Sequence, residues 1–301
     1  MMKDLIQKLS FGCLIFLFFA LMSCKNREIN YITYYNQVNE IDSAFRFKKD
    51  TLITIKKYRK LFRKFPPKNQ ERIYEFETFV KIADKKDKRF GGQKNLNKLI
   101  PLIAPNWKYK KEEQDFIKLY KKYGIDSIEI EQKTFTWKKT LNKQVVDSFS
   151  VAFVRDQAFR GDNYDPYLIG LSDKKNAMLL KRTIEEYGYP SLQKMGLWGN
   201  NEVFMPMNNL LLHLSDSKDY YPYLKEILLE YVKSGDCPPH DYAVMVDRNN
   251  LINGLAPLYA KYQSHDNIQD SVKVNSARKS IGLPGLVHRR QISKDFSRNI
   301  K

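Results

Sequence analysis

The run "AFVRDQAFR", residues 152–160, sets Asp156, Gln157 and Arg160 among apolar neighbours. Two other apolar stretches carry polar residues of the same kind: His213 in "EVFMPMNNLLLHLSD" and Asp247-Arg248 in "PPHDYAVMVDRNNLING". A histidine on a nearly all-apolar helix needs a partner, because an unsatisfied buried polar group costs about 1–3 kcal/mol. If the set converges, Asp156 or Asp247 orients His213 as a general base, and Arg160 or Arg248 holds an anionic group or a developing negative charge. Gln157 and Tyr259 complete the set as binding residues. Such a constellation suits hydrolysis or anhydro-type chemistry on a cell-wall or surface saccharide. The same residues equally suit an internal network of Arg–carboxylate pairs that fixes how helices cross, with His213 satisfied by a backbone carbonyl. No nucleophile elbow, glycine-rich phosphate loop, zinc-spaced His pair or paired-carboxylate signature accompanies them. No cofactor is expected, and a metal site built on the four histidines is not expected either.

The elements that must position these residues read as helices, so the expected fold class is all-α. Apolar positions Ile55, Tyr58, Leu61, Phe62 and Phe65 step by three and four before Pro66-Pro67, and Ile73, Phe76, Val80 and Ala83 do the same before Gly91-Gly92. Phe116, Leu119, Tyr120 and Tyr123 repeat the design up to Gly124. Helix, break, helix at these lengths is similar in shape to tetratricopeptide packing, without its consensus. "DSIEIEQKTFTWK", residues 126–138, alternates and is the one strand candidate. Val145, Phe149, Ala152 and Phe153 place "RDQAFR" on the last turns of a helix ending near Gly161, where Asp156 and Arg160 share a face. A cap at Ser172 or Asp173 opens the next helix, which stops at Gly188. The His213 stretch reads as central and buried, and "VNSARKSIGLPGL" as a short helix capped near Asn275 and broken at Pro284.

The start of the sequence carries a different message. Lys3 and Lys8 precede an apolar stretch, Phe11 to Met22, shorter than the roughly 20 residues needed to span a bilayer. It ends in Leu21-Met22-Ser23-Cys24, which resembles the lipobox of bacterial lipoproteins, in which the cysteine is acylated. The resemblance implies a signal peptide over 1–23, lipidation of Cys24, and a membrane partner through that lipid. Lys25 stands where an Asp would resemble an inner-membrane retention signal, so the outer membrane is the expected location, on either its periplasmic or its surface side. Cys237 is then the one thiol left, with no internal disulfide. "GDCPPHDY" reads as a helix-to-helix turn, and a nucleophilic Cys237 would need an electropositive setting and a base, for which His240 is the candidate.

Charge is uneven. Between Arg46 and Lys143 there are 28 Lys and Arg against 12 Asp and Glu, so this third holds +16 of the net +18. Such a region serves either as a solvated lysine-rich face or as a surface for an anionic partner, such as lipopolysaccharide, an acidic glycan or a protein. Nucleic acid is disfavoured by the secretion signal. The expected organisation is a basic helical region over 24–125, a helical domain over 126–292 and a basic tail over 293–301.

Taken in order, Asp156-Gln157-x-x-Arg160, Gly188-Tyr189-Pro190, Gly196, His213, Asp247-Arg248, Gly254 with Leu258-Tyr259, and Asn275 through "ARKSIGLP" resemble a bacterial domain family of unknown function found in lipoproteins. Its pattern runs D-Q-x-x-R, G-W-P, a Gln-His pair, D-R, G-x-x-Q-x-Y-G-T-Q and a closing G-L-P, and the likeness covers about residues 140–290. Leu212 departs from the Gln before His, Tyr189 from Trp, and Pro257, Ala260, Lys261 and Tyr262 from Gln, Gly, Thr and Gln. The resemblance implies a site that these departures alter, and it lends no activity. The expected function is therefore a lipid-anchored binding module that uses a basic helical surface; the alternative is an envelope enzyme centred on His213.

Overall fold

The computed structural model describes residues 29–68, 70, 72–262 and 268–299. The signal segment and Cys24 lie outside the described residues. Among the described residues the protein is all-α, with one isolated bridge between Trp198 and Phe204. The helices are α1 (Tyr31–Lys48), α2 (Thr51–Lys64), α3 (Glu75–Lys85), α4 (Gly92–Ile103), α5 (Trp107–Lys110), α6 (Gln114–Lys122), α7 (Ser127–Lys139) and α8 (Lys143–Gln157). They continue with α9 (Pro166–Tyr187), α10 (Leu192–Met195), α11 (Met207–Leu214), α12 (Tyr221–Ser234), α13 (Pro239–Ile252), α14 (Ser271–Ser280) and α15 (Leu286–Asn299).

Local chemistry sets many of the starts. Side chains of Asn30, Asp50, Asp126, Asn142, Asp165 and Asp270 accept from free N–H groups of the first turns of α1, α2, α7, α8, α9 and α14. The strand expectation at 126–138 is wrong: the segment is α7, capped by Asp126 through Glu129 N–H. A lone strand in a helical protein has no partner for its backbone groups, whereas a helix satisfies them internally. The alternation was only local, since Ile130 is buried while Ile128 is exposed. The cap expected at Ser172 or Asp173 is also displaced. Asp165 caps α9 and Pro166 occupies its first position, where a missing N–H costs nothing, so Ser172 lies buried within the helix. Asp270 rather than Asn275 caps α14, and Asn275 Oδ1 accepts from Leu286 N–H at 2.9 Å. The residues expected as a basic tail continue α15 through Asn299.

Two large apolar clusters form the interior. One gathers Tyr34, Val38, Tyr58, Phe76, Leu99, Phe116 and Ile130 from α1 to α7, joined by Ile292 of α15. The other runs from Val145 to Leu283 and includes Phe149, Leu180, Leu211, Leu228 and Met245. Helices α1 to α4 pack each on the next, but α4 then packs on α7, and α1 also packs on α12 and α15. The first cluster is therefore not a self-contained stack of hairpins. In the second, α9 packs on both α8 and α11, and α11 packs on α13. No described helix is long and apolar enough to cross a membrane.

Candidate functional site

Because α9 bridges α8 and α11, it brings Asp156 and His213 together across 57 residues. The Asp156 side chain is fully buried, and His213 Nδ1 lies 2.8 and 2.9 Å from its two oxygens. A carboxylate only accepts, so Nδ1 carries the proton and Nε2 is turned away from Asp156. No described residue bonds Nε2, and a fifth of the His213 side chain (20%) is exposed. Gln157 Nε2 donates to Asp156 Oδ2 at 2.6 Å. Arg160 Nε donates to the Asp156 carbonyl at 2.9 Å, and its guanidinium pairs with Asp173. Burial raises the Asp173 carboxyl above its ordinary range, with Arg160 opposing. Four expected residues thus meet in one place, and Asp173, expected as a helix cap, is a fifth member. The α11 stretch buries Met207, Leu210, Leu211 and Leu214, but His213 is on its partly open side.

Asp247 does not reach this group. It is fully buried on α13 and accepts from the backbone N–H groups of Tyr259 and Lys261, each at 2.8 Å. Burial raises its carboxyl while those bonds lower it. Tyr259 is buried against Tyr242 at a ring distance of 6.2 Å, and burial holds its hydroxyl well above the usual range. Arg248 points into solvent. The expected convergence is therefore split: Asp247 and Tyr259 organise a loop, and Arg248 belongs to neither place. Cys237 is fully buried and its thiol is pushed far up by burial, which removes the thiolate a nucleophile requires.

The loop that Asp247 holds belongs to a second arrangement, which the sequence reading missed. Its carbonyls face two arginines: Arg278 Nη1 donates to Tyr259 O at 2.7 Å, and Arg289 Nη1 donates to Ala260 O. Arg278 Nε also donates to Pro284 O at 2.6 Å. Ala260, at the position where the resembled pattern has glycine, adopts φ 51°, a left-handed conformation fixed by bonds on both sides. Arg278 is 1% exposed, and neither Arg278 nor Arg289 is ion-paired to a described carboxylate. Burial, with Arg289 next, lowers the Arg278 guanidinium to about 10, and burial lowers Arg289 too. Both line a cavity of about 330 Å³ with Arg72, His240 and Lys261, and no described acidic side chain is in its wall. The Lys261 ammonium donates to His240 Nδ1. Tyr35 and Gln70 close the cavity from the side of α1, and Ile292 from α15.

Family models, curated proteins and solved structures were compared with this chain, and none matches. Among the described residues no group of three His, Cys, Asp or Glu is placed to hold a metal ion.

Proposed function

We propose that the protein is a binding module for a small anionic ligand, taken up in the cavity walled by Arg278, Arg289, Lys261 and His240, and held at the outer membrane by lipid on Cys24. One observation carries the ligand reading: the buried guanidinium of Arg278 and the half-buried one of Arg289 face a cavity whose described wall holds no carboxylate. Holding two such charges partly out of water, with backbone carbonyls and the charge of Asp247 as their described offsets, is costly, and an anion in the cavity completes the site. Arg278 is still a cation at neutral pH, with its pKa at about 10. This narrows the expected basic surface to a cavity. Many lysines of the basic third are exposed and engaged singly, such as Lys57 with Glu40 and Lys122 with Asp84, whereas Arg72 of that third lines the cavity. Phosphate- and carboxylate-bearing envelope saccharides have the required chemistry.

Calorimetric titration with inorganic pyrophosphate and with glucose 6-phosphate tests the reading. Arg289→Met and Lys261→Met should each weaken binding about tenfold or more, the worth of a charge-assisted hydrogen bond. Binding unchanged in both variants would overturn it. For the anchor, metabolic labelling with palmitate should mark the wild type and leave Cys24→Ala unlabelled.

The geometry of His213 favours a second reading, hydrolysis. Its Nδ1 is fixed by both Asp156 oxygens and its Nε2 has no partner among the described residues, the arrangement a general base requires. A hydrolytic activity on envelope saccharides that survives intact in His213→Ala would remove this reading.

A further inference from the structure

The chain has three tryptophans, Trp107, Trp137 and Trp198, and all of them line a single cavity of about 370 Å³. They arrive there from unrelated elements. Trp107 opens α5 after the 3-10 turn Ala104–Asn106, Trp137 lies in the last turns of α7, and Trp198 sits in the loop beyond α10. Gly196 makes the approach close: its φ is 78°, and a Cβ there would meet Leu141 Cδ1 at 3.2 Å and the Trp137 ring at 3.9 Å. Each tryptophan is half-buried, so part of each indole remains at the cavity.

An apolar core function does not account for the placement. The two interior clusters are built without any of the three as a fully buried member. The rim is charged in both signs, with Lys108 paired to Glu202 at 3.4 Å and Lys111, Lys138 and Glu131 around it. Two polar atoms of the wall, Trp198 Nε1 and Thr134 Oγ1, have no hydrogen-bond partner among the described residues. Lys108 Nζ stands 4.4 Å from the centre of the Trp198 ring, which also meets Phe204 at 5.0 Å, while its N–H has no partner among the described residues.

We infer that this cavity is a binding site for a neutral sugar ring, separate from the anion cavity. The C–H bonds on one face of a pyranose are weakly positive and suit the negative face of an indole. Its hydroxyl edge needs donors and acceptors together, which the Lys and Glu side chains of the rim supply. A lipid chain would leave those polar groups unanswered, and a purely anionic group would meet Glu131 and Glu202. The volume lies within the range of small-molecule sites.

The composition supplies the assay. Because every tryptophan of the chain lines this cavity, intrinsic tryptophan fluorescence of the protein reports on it directly. The probes are chitotriose, maltotriose, cellotriose and mannotriose. At least one should give a saturable change in emission, and Trp137→Ala should weaken it about tenfold, with Trp137→Phe retaining part of the affinity. Circular dichroism checks that both variants are folded, and the exposed rim change Glu202→Gln, which leaves every indole in place, should also weaken the response. Arg289→Met should bind the sugar as the wild type does, which keeps this test distinct from that of the anion cavity. No response to any of the four sugars, an undiminished response in both Trp137→Ala and Glu202→Gln, or an equal response to an apolar tripeptide would overturn the inference.

Discussion

Two Asp–His pairs among the described residues differ in what surrounds the ring. In the first, His213 gives Nδ1 to Asp156 and keeps Nε2 at a partly open surface. In the second, His288 of α15 gives Nε2 to Asp42 of α1 at 2.7 Å, and the His288 side chain is 7% exposed. Asp42 also takes Arg46 Nε at 2.6 Å, and Arg46 reaches Asp295 at 2.7 Å, so the second pair is part of a chain of alternating charge that bolts α15 to α1. The same two residue types therefore serve opposite ends. A histidine held at one nitrogen and open at the other is available for chemistry or recognition, whereas one sealed within a charge chain is a fastener.

Removing the carboxylate should separate them most sharply. Asp42→Ala leaves Arg46 and His288 facing each other in a buried place, and an equilibrium urea titration should show a loss of about 3–5 kcal/mol. A loss under about 1 kcal/mol would mean that the bolt does not hold. Glu75, buried near Asp42, gives the next largest effect. Its carboxyl is raised to about 7, chiefly by burial, although Gln70 N–H and the Tyr34 hydroxyl donate to it. A raised folded pKa favours the protonated acid, so its contribution is complete below about pH 4.5 and is lost as pH rises to about 7. Glu75→Gln should flatten stability across that window and stand about 3 kcal/mol above the wild type at pH 8. Urea midpoints at pH 5 and pH 8 measure it, and equal pH slopes in the two proteins would refute it.

Truncating the rings should give unequal costs, about 3 kcal/mol for His288→Ala and about 1 kcal/mol for His213→Ala, since Asp156 keeps Gln157 and Arg160. Equal losses would erase the contrast. The smallest perturbation is covalent. Diethyl pyrocarbonate, followed by peptide mass mapping, should modify His213 in the folded protein and reach His288 only after unfolding.

The legible part of this structure was the part written in local spacing. Asp156 and Arg160 fall one helical turn apart, and a lone His in an apolar helix advertises its need for a partner, so the first pair could be anticipated. Asp247 announced itself as buried but not that its partners would be backbone N–H groups of a loop twelve and fourteen residues on. Arg278 and Arg289 sit in "ARKS" and "HRR", runs whose local spacing gives no sign that their charges turn inward. Only the turn at Pro284 and the docking of α15 fold them inward onto one loop. The tryptophans were equally silent, because 91 positions separate Trp107 from Trp198 and nothing in either neighbourhood refers to the other. The strand error at 126–138 has the same root, since alternation is local and the supply of a pairing partner is global.

The bolt between α1 and α15 also has a temporal side. Asp42 and His288 are 246 positions apart, and Asn36 and Asn39 of α1 give side-chain bonds to the carbonyls of Lys279 and Gly282, 243 positions on. As the polypeptide is synthesised, α1 meets α2 at once but must wait for nearly all the rest before its α15 partners exist. Until then Asp42 and the α1 surface that receives Ile292 have no cover, which makes α1 an early-made, late-finished element and a natural resting place for a chaperone.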